Sequence, residues 1–149
     1  TSLKPMVWSG GIYVIARTDG GEVWELDVMR HSARDTGVRL TPGVPAEARL
    51  APSGYGVAIS SGSTVAVHWF DREPQDRVID LPGSEATFSP DGTLIASVGR
   101  DAKAAVSVWL TDPWAATAPT QIATLPVATP HQAEPASTYC IQWLPEVDQ

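Results

Sequence analysis

Ser89-Pro90-Asp91-Gly92-Thr93-Leu94-Ile95-Ala96-Ser97 decides the reading of this chain, because the same phrase occurs twice more. Earlier copies read Trp8-Ser9-Gly10-Gly11-Ile12-Tyr13-Val14-Ile15-Ala16 and Ala51-Pro52-Ser53-Gly54-Tyr55-Gly56-Val57-Ala58-Ile59. Each joins a strand end, a tight turn rich in Gly, Pro, Ser and Asp, and a run of β-branched and small apolar residues. The copies recur at about forty residues, a period that belongs to repeated sheets and not to a single mixed core.

Working outward from the turns, each copy is followed by a second apolar strand that ends in Asp. These are Val23-Trp24-Glu25-Leu26-Asp27, Val67-His68-Trp69-Phe70-Asp71 and Val108-Trp109-Leu110-Thr111-Asp112. A third strand then runs into Pro: Val38-Arg39-Leu40-Thr41-Pro42, Val78-Ile79-Asp80-Leu81-Pro82 and Ile122-Ala123-Thr124-Leu125-Pro126. Short strands open the next unit at Ala48-Arg49-Leu50, Ala86-Thr87-Phe88 and Cys140-Ile141-Gln142-Trp143. The expected architecture is all-β: a partial β-propeller of about three four-stranded antiparallel blades, over 6–42, 46–82 and 85–126, plus the first strand of a fourth at 138–144. The whole of 1–149 reads as a single propeller-type unit. Alternation of polar and apolar residues is partial, as expected where stacked blades cover both sheet faces. Pro113 and Pro119 fence the Ala-rich run at 114–118, which reads as a loop or a single helical turn. The segment Val127 to Ser137, with Pro130 and Pro135, reads as an insertion on one face.

Ser89-Pro90-Asp91-Gly92 with Val106-Ser107-Val108-Trp109, and Thr18-Asp19-Gly20-Gly21-Glu22-Val23-Trp24, resemble blades of the WD-repeat or TolB-like propellers. The Gly-His pair of the WD family is missing; Pro82-Gly83-Ser84-Glu85 stands in its place, and His68 replaces the Trp of the sister blades. The resemblance implies that the loops after the second strands and between blades share one face. That face carries Arg17, Asp19, Arg100, Asp101 and Lys103, with His131 and Glu134 in the insertion. These residues, with Trp114 beside Pro113, are the candidates for partner contact; the plainer reading makes them solvated turns.

A closed propeller has typically four to eight blades, so three leave apolar faces bare. A protein partner or a second copy is therefore expected to complete the ring, unless the 149 residues are a piece of a longer polypeptide. The first function expected is a non-enzymatic interaction module or scaffold within a larger assembly. The alternative is a non-catalytic part of a propeller-containing hydrolase or lyase whose active site lies elsewhere; a second alternative is a small propeller lectin, suggested by six Trp.

Against catalysis within the chain, His31, His68 and His131 show no metal-ligand spacing. Gly10-Gly11 and Gly20-Gly21 read as turns, since neither a nucleophile elbow nor a phosphate loop is present. Asp19, Asp27, Asp71, Asp91, Asp101 and Asp112 recur at equivalent positions, which suits turn capping better than a unique active site. His68 reads as a packed inter-blade residue, and Trp24, Trp109 and Trp143 as core. No catalytic residue, metal or cofactor is expected. A net charge of −7 argues against nucleic acid and anionic lipid as partners. No apolar run approaches a bilayer span, so the expectation is a soluble protein without membrane insertion. The lone Cys140 suits the cytoplasm and also an exported protein without bridges; the first residue, Thr1, leaves a removed leader open.

Overall fold

The computed structural model describes residues 2–70, 78–98, 105–110, 120–126 and 142–143. Within them the chain is all-β, with twelve strands: β1 (Leu3–Ser9), β2 (Tyr13–Thr18), β3 (Glu22–Asp27), β4 (Ser32–Arg39), β5 (Ala46–Leu50), β6 (Gly56–Ser61), β7 (Thr64–Trp69), β8 (Val78–Pro82), β9 (Glu85–Phe88), β10 (Leu94–Val98), β11 (Ala105–Leu110) and β12 (Thr120–Pro126). They form three four-stranded antiparallel sheets, β1-β2-β3-β4, β5-β6-β7-β8 and β9-β10-β11-β12. This is a partial propeller of three blades, each a meander in chain order.

The repeated phrase folds the same way each time. Ile12 N–H donates to the Ser9 carbonyl at 2.9 Å, Gly54 N–H to Ala51 at 2.8 Å and Gly92 N–H to Ser89 at 2.9 Å. In the third copy the Ser89 hydroxyl also accepts from Leu94 N–H at 3.0 Å, and Asp91 accepts from Thr93 N–H at 3.0 Å. The Asp91 carboxyl is held below its ordinary range, first by the Ser89 hydroxyl and then by Thr93. Ser9 ties two of these turns together by donating its hydroxyl proton to the Gly54 carbonyl at 2.7 Å.

Two glycines are required by close approach. Gly21 sits at φ +90°, and a Cβ there would lie 1.9 Å from the Leu40 carbonyl oxygen. Gly56 lies under the Trp69 ring, where a Cβ would come within 2.3 Å of Cε3. Neither position leaves room for a side chain.

The core sits between blades. Tyr13, Ile15 and Val23 of the first blade pack with Val57, Ile59 and Phe70 of the second. Ala58, Val67 and Trp69 on the other face of the second blade pack with Phe88 and Ile95 of the third. Sheet alternation produces this: successive residues of β6 and β7 feed opposite interfaces.

Two expected boundaries move. The last strand of blade one covers Ser32–Arg39 and not 38–42, because a register shift between Glu22 and Trp24 sets the pairing Trp24↔Asp35. Of the strand expected at 138–144, only Gln142 and Trp143 are described, and they are not in a strand. The Trp143 indole instead donates to the Thr87 carbonyl of β9 at 3.3 Å. No helix among the described residues is long and apolar enough to cross a membrane.

Candidate functional site

The turns after the second strands and the connections between blades do share one face. Leu40 N–H donates to the Gly21 carbonyl at 2.8 Å, and Gly83 N–H to Ser63 at 3.1 Å. Arg17, at the end of β2, reaches across to the Val44 carbonyl at 3.3 Å. Asp19, in the β2–β3 turn, is 2.8 Å from Lys4 Nζ. The Lys4 ammonium, hydrogen-bonded to it, holds the Asp19 carboxyl below its ordinary range. These two sequence candidates are thus brought to one rim. Arg100, Asp101, Lys103, Trp114, His131 and Glu134 lie outside the described residues.

The same rim carries a cluster that sequence reading missed. Glu47 and Arg49 sit two apart on β5, hence on one face, and Glu85 opens β9. Arg49 Nη2 is 2.8 Å from Glu85 Oε1, and 3.5 Å from Glu47 Oε2. The guanidinium therefore bridges the first strands of two blades and is shared by two carboxylates. Glu85 is the sheltered one, with 14% of its side chain exposed, and Glu47 the open one, at 64%. A signal was available: Arg49 and Glu85 are 36 residues apart, close to one repeat, so aligned blades place them on neighbouring first strands.

A pocket opens on this face between blades one and two. Its floor is Val38, Leu40, Ile59 and Ala66, and Arg39, Thr41, Ser61 and Thr64 form its rim. Asp35 engages the Arg39 guanidinium through both oxygens, at 2.8 and 2.6 Å. The Asp35 carboxyl is accordingly held low by Arg39, and the Arg39 guanidinium raised by Asp35.

His68 lies deeper. Its Nε2 is 2.7 Å from Oε2 of Glu25, with 0% and 2% of the two side chains exposed. His68 also meets Phe70 edge-on at 5.6 Å, and Phe70 stacks on Tyr13 at 4.9 Å. The inter-blade reading of His68 holds, and the pair is too enclosed to meet a substrate. His31 is in the β3–β4 turn, which binds the opposite turn through Val28 N–H and the Ile12 carbonyl at 2.8 Å, so it faces away from the Arg49 rim. Asp27 caps that turn by accepting from Arg30 N–H at 2.8 Å; Asp71, Asp101 and Asp112 lie outside the described residues. Gly10, Gly11 and Gly21 have positive φ. Among the described residues no three His, Cys, Asp or Glu side chains are grouped to hold a metal ion.

The chain matches no protein-family model, and no curated protein is similar to it in sequence. Its fold is similar to two solved structures provisionally assigned as 6-phosphogluconolactonases. For the Bacteroides uniformis protein the TM-score is 0.56 at 12% identity, over 85% of this chain and 42% of that one. For the Bacteroides fragilis protein it is 0.51 at 16% identity, over 83% and 38%. The chain thus spans about two fifths of either structure.

These comparisons correct two expectations. The resemblance to WD-repeat or TolB-like propellers is not upheld: the fold neighbours are lactonase-like, and no family model supports WD repeats. The shared turn misled, because the WD hydrogen-bond network is absent from the middle blade: His68 binds Glu25 there, and of the two Trp aligned with it Trp109 bonds Ser97 Oγ at 3.1 Å whereas Trp24 has no indole partner among the described residues. The expected non-enzymatic scaffold gives way as well. Neighbours named as hydrolases fit its alternative, part of a propeller-containing enzyme, better.

Proposed function

We propose that this chain is part of a propeller hydrolase that opens a cyclic ester of an acidic sugar, as the names of its fold neighbours suggest. The observation that carries the reading is Arg49, a single guanidinium shared by a sheltered and an open carboxylate on the inner strands of two adjacent blades.

Lactone opening needs a base to take a proton from water and a donor for the oxygen on which charge develops. Glu47 is suited to the first task, since its carboxylate is open to water and only loosely held at 3.5 Å. Arg49 is suited to the second, and to an anionic substituent, because its fork presents several N–H groups at once. Glu85 fixes the guanidinium from behind at 2.8 Å. Lys4 and Arg17 add cationic character farther along the rim, although each is already engaged, by Asp19 and by the Val44 carbonyl.

The test is hydrolysis of glucono-δ-lactone and its 6-phosphate by the full chain, followed by acid release against the buffer rate. Arg49→Ala should lower kcat/KM at least 100-fold, and Glu47→Gln should lower kcat with little change in KM. No rate above buffer for either lactone, or an Arg49→Ala variant as fast as the parent, overturns the reading.

A further inference from the structure

The two seams between blades share a register but are filled differently. In the second seam Trp109 pairs with Ile95 and packs on the cluster that holds Trp69 and Phe88. Its indole N–H donates to the Ser97 hydroxyl at 3.1 Å. Ser97 lies two residues beyond Ile95, so the indole leans along the sheet toward the Val98 end of β10. In the first seam the same place belongs to His68. It pairs with Val57, the second residue of β6, as Trp109 pairs with the second residue of β10. The smaller imidazole turns across the seam to Glu25, at 2.7 Å, and not along the sheet. Ile59, the register counterpart of Ser97, instead lines the pocket between blades one and two.

The pocket has a volume of about 240 Å³. Its apolar lining comes from both sheets, Val38 and Leu40 from blade one and Ile59 and Ala66 from blade two. A gap between two apolar sheet faces suits a flat ring, which meets both at once. The volume falls below the roughly 300–1,000 Å³ of sites for drug-sized ligands, so a ring system without large substituents fits best. Thr41, Ser61 and Thr64 place hydroxyls at the rim, and each can both donate and accept. Arg39 is the charged residue of the lining. Its guanidinium already meets both oxygens of Asp35 and the Val38 carbonyl, the last at 3.0 Å. With that charge matched, the pocket favours a neutral ligand over an anion. Any further blade would stack beyond blade one or blade three, so both walls of this seam are supplied by the chain itself.

We propose that this pocket binds a neutral, flat heteroaromatic ring with hydrogen-bonding groups on its edge, a purine base or an indole. The bound ring takes, in the first seam, the part that the Trp109 indole plays in the second: its faces pack on Val38, Leu40, Ile59 and Ala66, and its edge meets the rim hydroxyls. The proposal goes beyond the hydrolase reading and does not rest on it, since Glu47, Arg49 and Glu85 are not among the residues that line the pocket.

Isothermal titration calorimetry tests it, with adenine and indole titrated into the 149-residue chain, glucose as the non-aromatic control and benzoate as the anionic one. One ring per chain should bind with a Kd of about 1 mM or tighter, and both controls should bind more weakly. Binding of adenine alone supports a purine ligand, and of indole alone an indole ligand. Ser61→Ala/Thr64→Val removes two rim hydroxyls at the surface and should weaken adenine binding about 10-fold. Ala66→Leu fills the pocket from within and should abolish binding of either ring. Far-UV circular dichroism checks that each variant is folded, and the rim variant keeps the test decisive if Ala66→Leu does not fold. Neither ring binding, either control binding as tightly as the rings, or a folded variant of either kind that binds like the parent overturns the proposal. Arg49→Ala should bind the rings as the parent does, so loss of ring binding and loss of lactone hydrolysis are read separately.

Discussion

Replacing His68 by Leu should destabilise the protein by about 3 kcal/mol, the lower end of what is lost when one partner of a buried acid–base pair is removed. The magnitude follows from the surroundings. Glu25 is 2% exposed, so water cannot take over from the imidazole 2.7 Å away. The lower end applies because Glu25 holds another interaction as well. Glu25→Leu should cost a similar amount, since it leaves His68, wholly buried and already without a partner at Nδ1 among the described residues, with neither ring nitrogen engaged. Glu25→Leu/His68→Leu should cost less than about 1 kcal/mol, because two apolar side chains of suitable volume need no desolvation. Urea unfolding followed by tryptophan fluorescence reads all three. With a slope of roughly 1–3 kcal/mol per molar urea, each single change should lower the midpoint by about 1–3 M. A single substitution costing under about 1 kcal/mol, or a double variant as weak as the sum of the singles, would refute the reasoning.

Gly56→Ala should cost about 1–3 kcal/mol, as overpacking does, because the added Cβ meets the Trp69 ring at 2.3 Å; a thermal melt as high as the parent's would contradict this. Asp35→Asn should cost under about 1 kcal/mol at neutral pH, since the Arg39 pair is half exposed. Arg39 depresses the Asp35 carboxyl in the folded state, so its contribution is complete above the ordinary value of 3.8 and is lost as pH falls through the depressed one. The gap between parent and variant should therefore close in acid, and a gap that widens there would count against it.

The strands were legible where turn and strand chemistry agree. β8 lies where Val78 to Pro82 was expected, and β5, β9 and β12 begin within two residues of their expected starts. β4 was not legible, because Ser32-Ala33-Arg34-Asp35 has little apolar content and joins the sheet through its backbone pairing with β3. Arg17 and Asp19 could be placed on one rim, because turn position determines the face. Arg49 and Glu85 drew no reading as a pair, since nothing local announces a contact across 36 residues. His68 could be read as buried but not as paired, because Glu25 looks like the polar member of an alternating strand.

The Glu25–His68 contact also bears on how tandem blades avoid assembling in the wrong order. Similar repeats can dock out of sequence during folding, and chains of repeats are prone to that error. Aligned on Val23, Val67 and Val108, blade one has Glu25 where blades two and three have Trp69 and Leu110, and one residue earlier blade two has His68 where the others have Trp24 and Trp109. Were blade three to dock directly on blade one, the Trp109 indole would stand where the imidazole belongs, and Glu25 would be buried without the ring nitrogen that meets it at 2.7 Å. The buried Glu25–His68 contact is thus made when blade two follows blade one, and it favours that order over its alternatives.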